Sequence, residues 1–275
     1  MEKTHAYVPG AEFPWQYKYE HMAVTTDCVI FTYEDPDLKV LLVRRGGEPC
    51  KGMWAFPGGF LRTNETAEQG ALRELSEETS LTPSTPVVQL GVFSDVDRDP
   101  RERVLTIAFY ALVKPSEVRG GDDADEAAWF PTGSLPPLAF DHRKIFEAAM
   151  ERLRKDIHFQ PVGFDLLDET FTIPDLQRLY ESILGVKFDR RNFQRKILAS
   201  GILDEVPPPD DSSDWAEIHD DGCRYEIAGS RIHRDSIPTT VKAKPKKHPG
   251  RKAASWSLNL ERYSKMKEDG GKIEF

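Results

Sequence analysis

Residues Gly58–Leu81 read GGFLRTNETAEQGALRELSEETSL. A Gly-Gly turn opens the stretch, Glu65 follows among polar residues, and then comes a helical pattern carrying Arg73, Glu74, Glu77 and Glu78. Thr66 with Gln69 three residues on has the form of a capping box, which satisfies free backbone N–H groups of the first turn. On a helix advancing ~100° per residue, Ala71, Leu72 and Leu75 share one arc and read as the buried face. Glu74, Glu77 and Glu78 share another. That second arc opposes itself. Like charges three and four residues apart repel, and Glu77 and Glu78 stand in the last turn, where the helix dipole disfavours anions. A hard divalent cation reverses the sign of all these terms, because carboxylate oxygens suit Mg²⁺ or Mn²⁺. Gly70, one turn before Glu74, weakens a helix by roughly 1 kcal/mol relative to alanine and is read as leaving room for an ion and a phosphate. Three glutamates alone would as readily be a solvated acidic face.

The full spacing says more than the cluster does. Gly59, five residues, Glu65, seven residues, then Arg73-Glu74-Leu75-x-Glu77-Glu78 resembles the Nudix box. The match departs only at the late glycine, which is Ser80 here, followed by Leu81. The resemblance implies an α/β/α Nudix sandwich with a mixed sheet. In active members it implies metal-dependent hydrolysis of a diphosphate linked to another group. It further implies Glu74 and Glu78 as main ligands of Mg²⁺ (or Mn²⁺), with Glu77 as ligand or water-mediated partner. Glu65 would support the ligands, Arg73 would orient the carboxylates, and a backbone carbonyl near Gly58 would assist the metal. Ser80 alters the helix end, where glycine reaches φ > 0 cheaply, but removes no carboxylate.

The chain has 275 residues and a net charge of −9, enough length for one large or two ordinary domains. The charge is uneven. Residues 1–160 carry 18 basic and 26 acidic side chains, whereas residues 241–275 carry 10 basic and 4 acidic. Local positive charge matters more than the total when the partner is DNA. The three cysteines, Cys28, Cys50 and Cys223, are far apart and show no metal-ligand or disulfide pattern. The start, MEKTHAYVPG, has no apolar run of the signal-peptide kind. Nothing approaches a membrane span, and a reducing cytoplasm is the expected location.

Residues 1–22 read as an arm with Phe13, Trp15, Tyr17 and Tyr19; residues 23–158 read as the first domain. Strands are expected at 23–33, 39–45, 54–56, 86–95, 104–113 and 127–130, and a helix at 142–155, with Asp141 as its N-cap. Glu34–Asp37 has hairpin turn chemistry. The charged loop Asp97–Arg103 resembles a loop of Nudix proteins that handle ADP-ribose or bind it as a signal. The resemblance makes Arg98 and Arg101, with Arg45, candidate ligand contacts. In several diphosphate-cleaving relatives the general base comes from a late loop, and Asp122, Asp123 and Glu126 in the acidic segment 117–126 are the candidates here. His142 reads as structural rather than catalytic.

Residues 159–275 read as a second domain. Thr172, Pro174 and Asp175 start a helix whose apolar face is Leu176, Leu179, Tyr180, Ile183 and Leu184, and Gly185 ends it. Asp189 caps a second helix, with Phe193 and Ile197 inward and Arg190, Arg191, Gln194 and Arg195 outward. Two short helices joined by a tight turn, the second basic outside, form a helix-turn-helix pattern. Placed after the first domain, FDRRNFQRKILASGILDE resembles the winged helix of the NrtR-like and AraR-like Nudix-related regulators. GRKAASWSLNLERY (250–263) looks like the wing strand, with 206–250 as an insertion in which Cys223–Ile227 would extend the wing sheet. Lys246, Lys247, Arg251 and Lys252 in the basic run beside it are candidate DNA contacts. Two readings follow: a Mg²⁺-dependent hydrolase of ADP-ribose or a related nucleotide sugar joined to a DNA reader, or a catalytically silent regulator that only senses such a ligand. Double-stranded DNA is the expected partner, and the regulator reading predicts a homodimer reading two half-sites.

Overall fold

A computed structural model describes residues 20–79, 81, 87–115, 124–159, 161–207 and 254–271. The arm before residue 20, Ser80, Asp122, Asp123, Cys223–Ile227, Lys246, Lys247, Arg251 and Lys252, for which the sequence raises expectations, lie outside these residues.

The first part is built on one mixed sheet. Its strands are β1 (Ala23–Glu34), β2 (Asp37–Arg45), β3 (Trp54–Ala55), β4 (Gly58–Phe60), β5 (Val88–Phe93), β6 (Val104–Leu112) and β7 (Ala124–Pro131). The order is β3-β2-β1-β6-β5, with β4 paired to β1 and β7 to β2. β1 and β6 run parallel, in register from Ala23↔Val104 to Phe31↔Leu112, while the other pairs are antiparallel. Side chains alternate across a strand, so β1 serves two cores. Cys28 and Ile30 pack with Ala71 and Leu75 of α1 (Ala67–Thr79) on one face. Val29 and Phe31 pack with Ile145, Ala149 and Leu153 of α2 (His142–Phe159) on the other. The α/β/α sandwich expected from the sequence is therefore present.

The second sheet is small and antiparallel, in the order β8-β10-β9, from β8 (Phe171–Thr172), β9 (Leu203–Val206) and β10 (Ser255–Leu258). It carries α3 (Ile173–Leu184) and α4 (Arg190–Ala199). Thr172 and Asp175 form a reciprocal capping box on α3, and Gly185 ends that helix with φ of 69°. Asp189 caps α4 by accepting the Asn192 N–H. Among the described residues of the expected wing segment, strand is confined to Ser255–Leu258. Asn259 caps a further helix, α5 (Leu260–Glu268), which buries Tyr263. With Tyr263 its buried residue, this nine-residue helix is too short to show a clear apolar period.

The two parts share one core. The cluster that holds Phe31 and Ile145 runs on to Leu176, Tyr180, Phe193, Ile202 and Tyr263. Polar bonds reinforce the junction: the Leu38 N–H donates to Ser182 Oγ at 2.9 Å, and Arg178 Nε donates to both oxygens of Asp35 at 2.8 and 3.0 Å. Among the described residues no helix is long and apolar enough to cross a membrane.

Two local expectations need correction. Gly70 does not open a space for ligand: a Cβ there would meet Leu61 Cδ1 at 2.7 Å and Glu65 Oε1 at 3.2 Å, so the glycine admits the preceding loop. The Asp141 carboxylate, expected to cap α2, instead accepts two bonds from Arg98.

Candidate functional site

The N-terminal capping box of α1 forms as the sequence predicts. The Thr66 N–H donates to Gln69 Oε1 at 2.9 Å, and the Gln69 N–H to Thr66 Oγ1 at 3.2 Å. It fixes the start of the helix, and β4 approaches the acidic face of that helix through glycines. A Cβ on Gly59 would lie 2.4 Å from Glu74 Oε1, and one on Gly58 would lie 2.2 Å from the Thr26 carbonyl oxygen. At Gly58 the obstacle is backbone, so no larger residue fits; at Gly59 a side chain would force the Glu74 carboxylate out of its present place. The Gly58 N–H donates to Glu78 Oε2 at 3.0 Å.

Arg73 gathers the remaining carboxylates. Its Nε and Nη2 clamp Glu65 at 2.9 and 2.6 Å, and its Nη1 reaches Glu74 at 2.6 Å and Glu77 at 3.0 Å. Its Nη2 also donates to the Phe60 carbonyl oxygen. Charge-assisted pairs of this kind fix side-chain geometry as well as energy. The hydrogen bond from Arg73 holds the Glu65 carboxyl below its ordinary range, against a smaller opposing effect of burial. For Glu74 the balance inverts: burial raises its carboxyl, and Arg73 only partly offsets this. The Glu65 hydrogen bond in turn pushes the Arg73 guanidinium up.

Among the described residues, no group of three or more His, Cys, Asp or Glu side chains is gathered to hold a metal ion. Glu74 is turned to Arg73, and Glu78 to the Gly58 N–H. In kind, the donor set suits a hard divalent cation: carboxylates on one helix arc beside a Cβ-free turn. The desolvated charge on Glu74 is the observation that a cation would relieve.

Beside this cluster lies a cavity of about 630 Å³, within the roughly 300–1,000 Å³ range of small-molecule sites. The end of β2, the turn Gly46–Glu48, Gly58–Phe60, Glu78, the Arg98–Arg101 loop, Phe140 and His142 form its walls. The three arginines expected to meet ligand differ sharply. Arg98 is 8% exposed; it donates to Asp141 at 2.7 and 3.0 Å and stands 3.7 Å from Asp27. It is a buried structural cation rather than an open phosphate contact. Arg101 is tethered to Asp99 at 2.7 and 3.1 Å and lies over the Phe60 ring, 5.2 Å from its centroid. Burial acts to raise the Asp99 carboxyl, but its bonds from Arg101 prevail and lower it. Arg45 donates to the Pro49 carbonyl oxygen at 2.9 Å and lies 4.9 Å from the Phe140 ring centroid.

His142 is structural, as expected. Its Nδ1 accepts the Phe56 N–H at 2.9 Å, its ring stacks on Phe56, and burial lowers its pKa below the ordinary value, favouring the neutral form. Glu126 does not lie on a loop. It sits on β7, opposite Arg44, and the two side chains are 3.8 Å apart. Arg190, Arg191, Gln194 and Arg195 are exposed along α4, and Arg195 bonds Asn192 Oδ1 at 2.7 Å. Sequence reasoning missed Asp27, Phe60 and Phe140 on the cavity wall. Asp27 was hidden in an apolar strand, and nothing in the local pattern singles out the two phenylalanines.

The NUDIX domain profile matches residues 22–149, and the NrtR DNA-binding winged helix domain profile matches residues 163–213. The chain is 46% identical over 132 residues to an ADP-ribose pyrophosphatase of Methanocaldococcus jannaschii, covering 48% of this chain and 75% of that protein. It is 29% identical over 194 residues to the ADPR responsive transcriptional repressor NtrR of Acinetobacter baylyi, covering 68% and 77%. Among solved structures, Shewanella oneidensis NrtR complexed with a 27mer DNA superposes with a TM-score of 0.60 at 28% identity, covering 88% of this chain and 95% of that one.

Proposed function

We propose, from the premise that this chain belongs to the Nudix family and carries an NrtR-type winged helix, that it is a DNA-binding regulator whose Nudix domain binds and hydrolyses ADP-ribose or a related nucleotide sugar. The effector domain would span residues 23–158 after an arm at 1–22, and the reader residues 159–275 with an insertion at 206–250. The reading rests on one observation above others: Glu78, from the carboxylate set of α1, lines a cavity sized for such a ligand. The relative named as an ADP-ribose pyrophosphatase and the relative named as an ADPR-responsive repressor support its two halves.

Glu74, Glu78 and Glu77, with the backbone at Gly58, would hold Mg²⁺ or Mn²⁺; when bound, the cation supplies Lewis-acid polarisation of the diphosphate. Glu65 and Arg73 set the carboxylate geometry through the bonds described above. The general base would come from Asp122, Asp123 or the β7 residue Glu126. Of these, Glu126 stands across from Arg44, which lines the cavity. Arg45 and Arg101 face the ligand. Arg190, Arg191, Gln194 and Arg195, with Lys246, Lys247, Arg251 and Lys252, would meet DNA phosphates and bases. The protein would act in the cytoplasm as a homodimer on paired half-sites.

One observation favours a silent sensor instead: Glu74 and Glu78 are engaged by Arg73 and Gly58 rather than gathered for a cation. AMP release from ADP-ribose with Mg²⁺, run beside Glu74→Gln, separates the two. Turnover lost in the variant supports the hydrolase. Absent turnover with ligand-dependent thermal stabilisation supports the sensor.

A further inference from the structure

Phe140 is a non-glycine residue in the left-handed region, with φ of 50°, on the cavity wall. A bulky side chain stays there only where its surroundings over-determine it, and here both flanks are fixed. The Ala139 N–H donates to the Trp54 carbonyl oxygen at 2.8 Å, and the His142 N–H closes back on the Ala139 carbonyl oxygen at 3.2 Å. Asp141 is gripped by Arg98, and His142 is stacked on Phe56. The constrained backbone presents the Phe140 ring to two guanidinium groups, Arg45 at 4.9 Å and Arg101 at 6.0 Å from its centroid. Arg101 is shared with a second ring, Phe60, at 5.2 Å. Phe60 is 43% exposed, a large apolar side chain left open to solvent. A flat cation thus occupies the space that the two rings have in common. Guanidinium and nucleobase are both planar groups that stack on aromatic faces.

We propose that Phe140 and Phe60 form a slot for the planar base of a bound nucleotide and that Arg101 is the group the base displaces from it. This rests on the nucleotide reading above and deepens it. The slot makes Phe140 a specificity residue that separates a base-bearing ligand from a bare sugar phosphate. Stacking tolerates any base, so discrimination among bases is weak.

The test is calorimetric titration of the full chain without divalent metal, using ADP-ribose, AMP and ribose 5-phosphate. Phe140→Leu is expected to weaken ADP-ribose and AMP by about 10-fold while leaving ribose 5-phosphate unchanged, and Phe140→Trp to restore both. Phe60→Leu alters an exposed side chain, leaves the core intact, and is expected to give a smaller loss of the same pattern. Equal losses for all three ligands, or no loss for any, would overturn the slot. Wild-type binding of AMP but not ADP-ribose, with the Phe140→Leu loss intact, would keep the slot and sink the ADP-ribose reading. Binding of neither would sink both.

Discussion

The carboxylate helix α1 and the basic helix α4 are both short, apolar on one face and charged on the other, yet their charges are held in opposite ways. On α1 the charges are tied to each other and to the turn beside them. Arg73 spans Glu65, Glu74 and Glu77, and Glu78 takes the Gly58 N–H. On α4 the arginines stand in water, and the helix is fixed from beneath by Phe193 and Ile197 and from its start by Asp189. The difference follows from the partners proposed. A small diphosphate needs carboxylates preset to within an ångström or less. A DNA backbone needs cations free to exchange for its counterions.

The contrast breaks most severely at the buried end of the first region. Arg98→Met leaves Asp141 and Asp27 without their shared cation, and removing one member of a buried pair costs about 3–5 kcal/mol. Urea denaturation should register that loss, and an unchanged midpoint would show that Arg98 is not structural. Glu74→Gln comes next. AMP release should fall by roughly 100-fold, as for loss of a metal-holding group, while DNA affinity without ligand stays level. A parallel loss of DNA binding would mean that the two regions are not separable.

Arg191→Ala should act on the other region alone. The log–log salt slope of DNA binding should drop by about 1 if the residue meets a phosphate, with hydrolysis untouched. The smallest effect concerns the turn between α3 and α4. Burial acts to raise the Glu181 carboxyl, but bonds from Lys187, Gln177 and the Phe188 N–H outweigh it and hold the pKa at about 2. A depressed carboxyl contributes stability above its unfolded value, and that contribution fades as pH falls toward the folded one. Urea midpoints should therefore decline between about pH 4.5 and 2 more steeply in wild type than in Glu181→Gln.

How much of this was legible depended on the distance over which each signal acts. The α1 capping box and the Asp189 cap are bonds between residues three apart, and the sequence predicts both; it also places Thr172 and Asp175 at the start of α3, where they form a box. The strand β1 was equally plain. Pairings across long separations were not. Arg98 and Asp141 are 43 residues apart, so nothing local showed that Arg98 was already neutralised or that Asp141 was taken from its cap. Gly70 looked like an opening because its neighbour Leu61 is brought in by the loop rather than by the helix. Phe60 and Phe140 went unmarked because an apolar side chain carries no sign that it faces a cavity. The junction was hidden for the same reason, since the bond between Leu38 and Ser182 crosses 144 residues.

The central claim is that one chain reads DNA, senses a nucleotide and removes it. Fluorescence anisotropy tests it directly, using a labelled duplex from upstream of the neighbouring operon, titrated with ADP-ribose. Without divalent metal, the ligand is expected to shift the DNA affinity by about 10-fold, within the usual range of coupling between sites. With Mg²⁺ the shift should decay as AMP accumulates in wild type and persist in Glu74→Gln. Salt-insensitive or absent DNA binding, or a DNA affinity indifferent to ADP-ribose, would contradict the account.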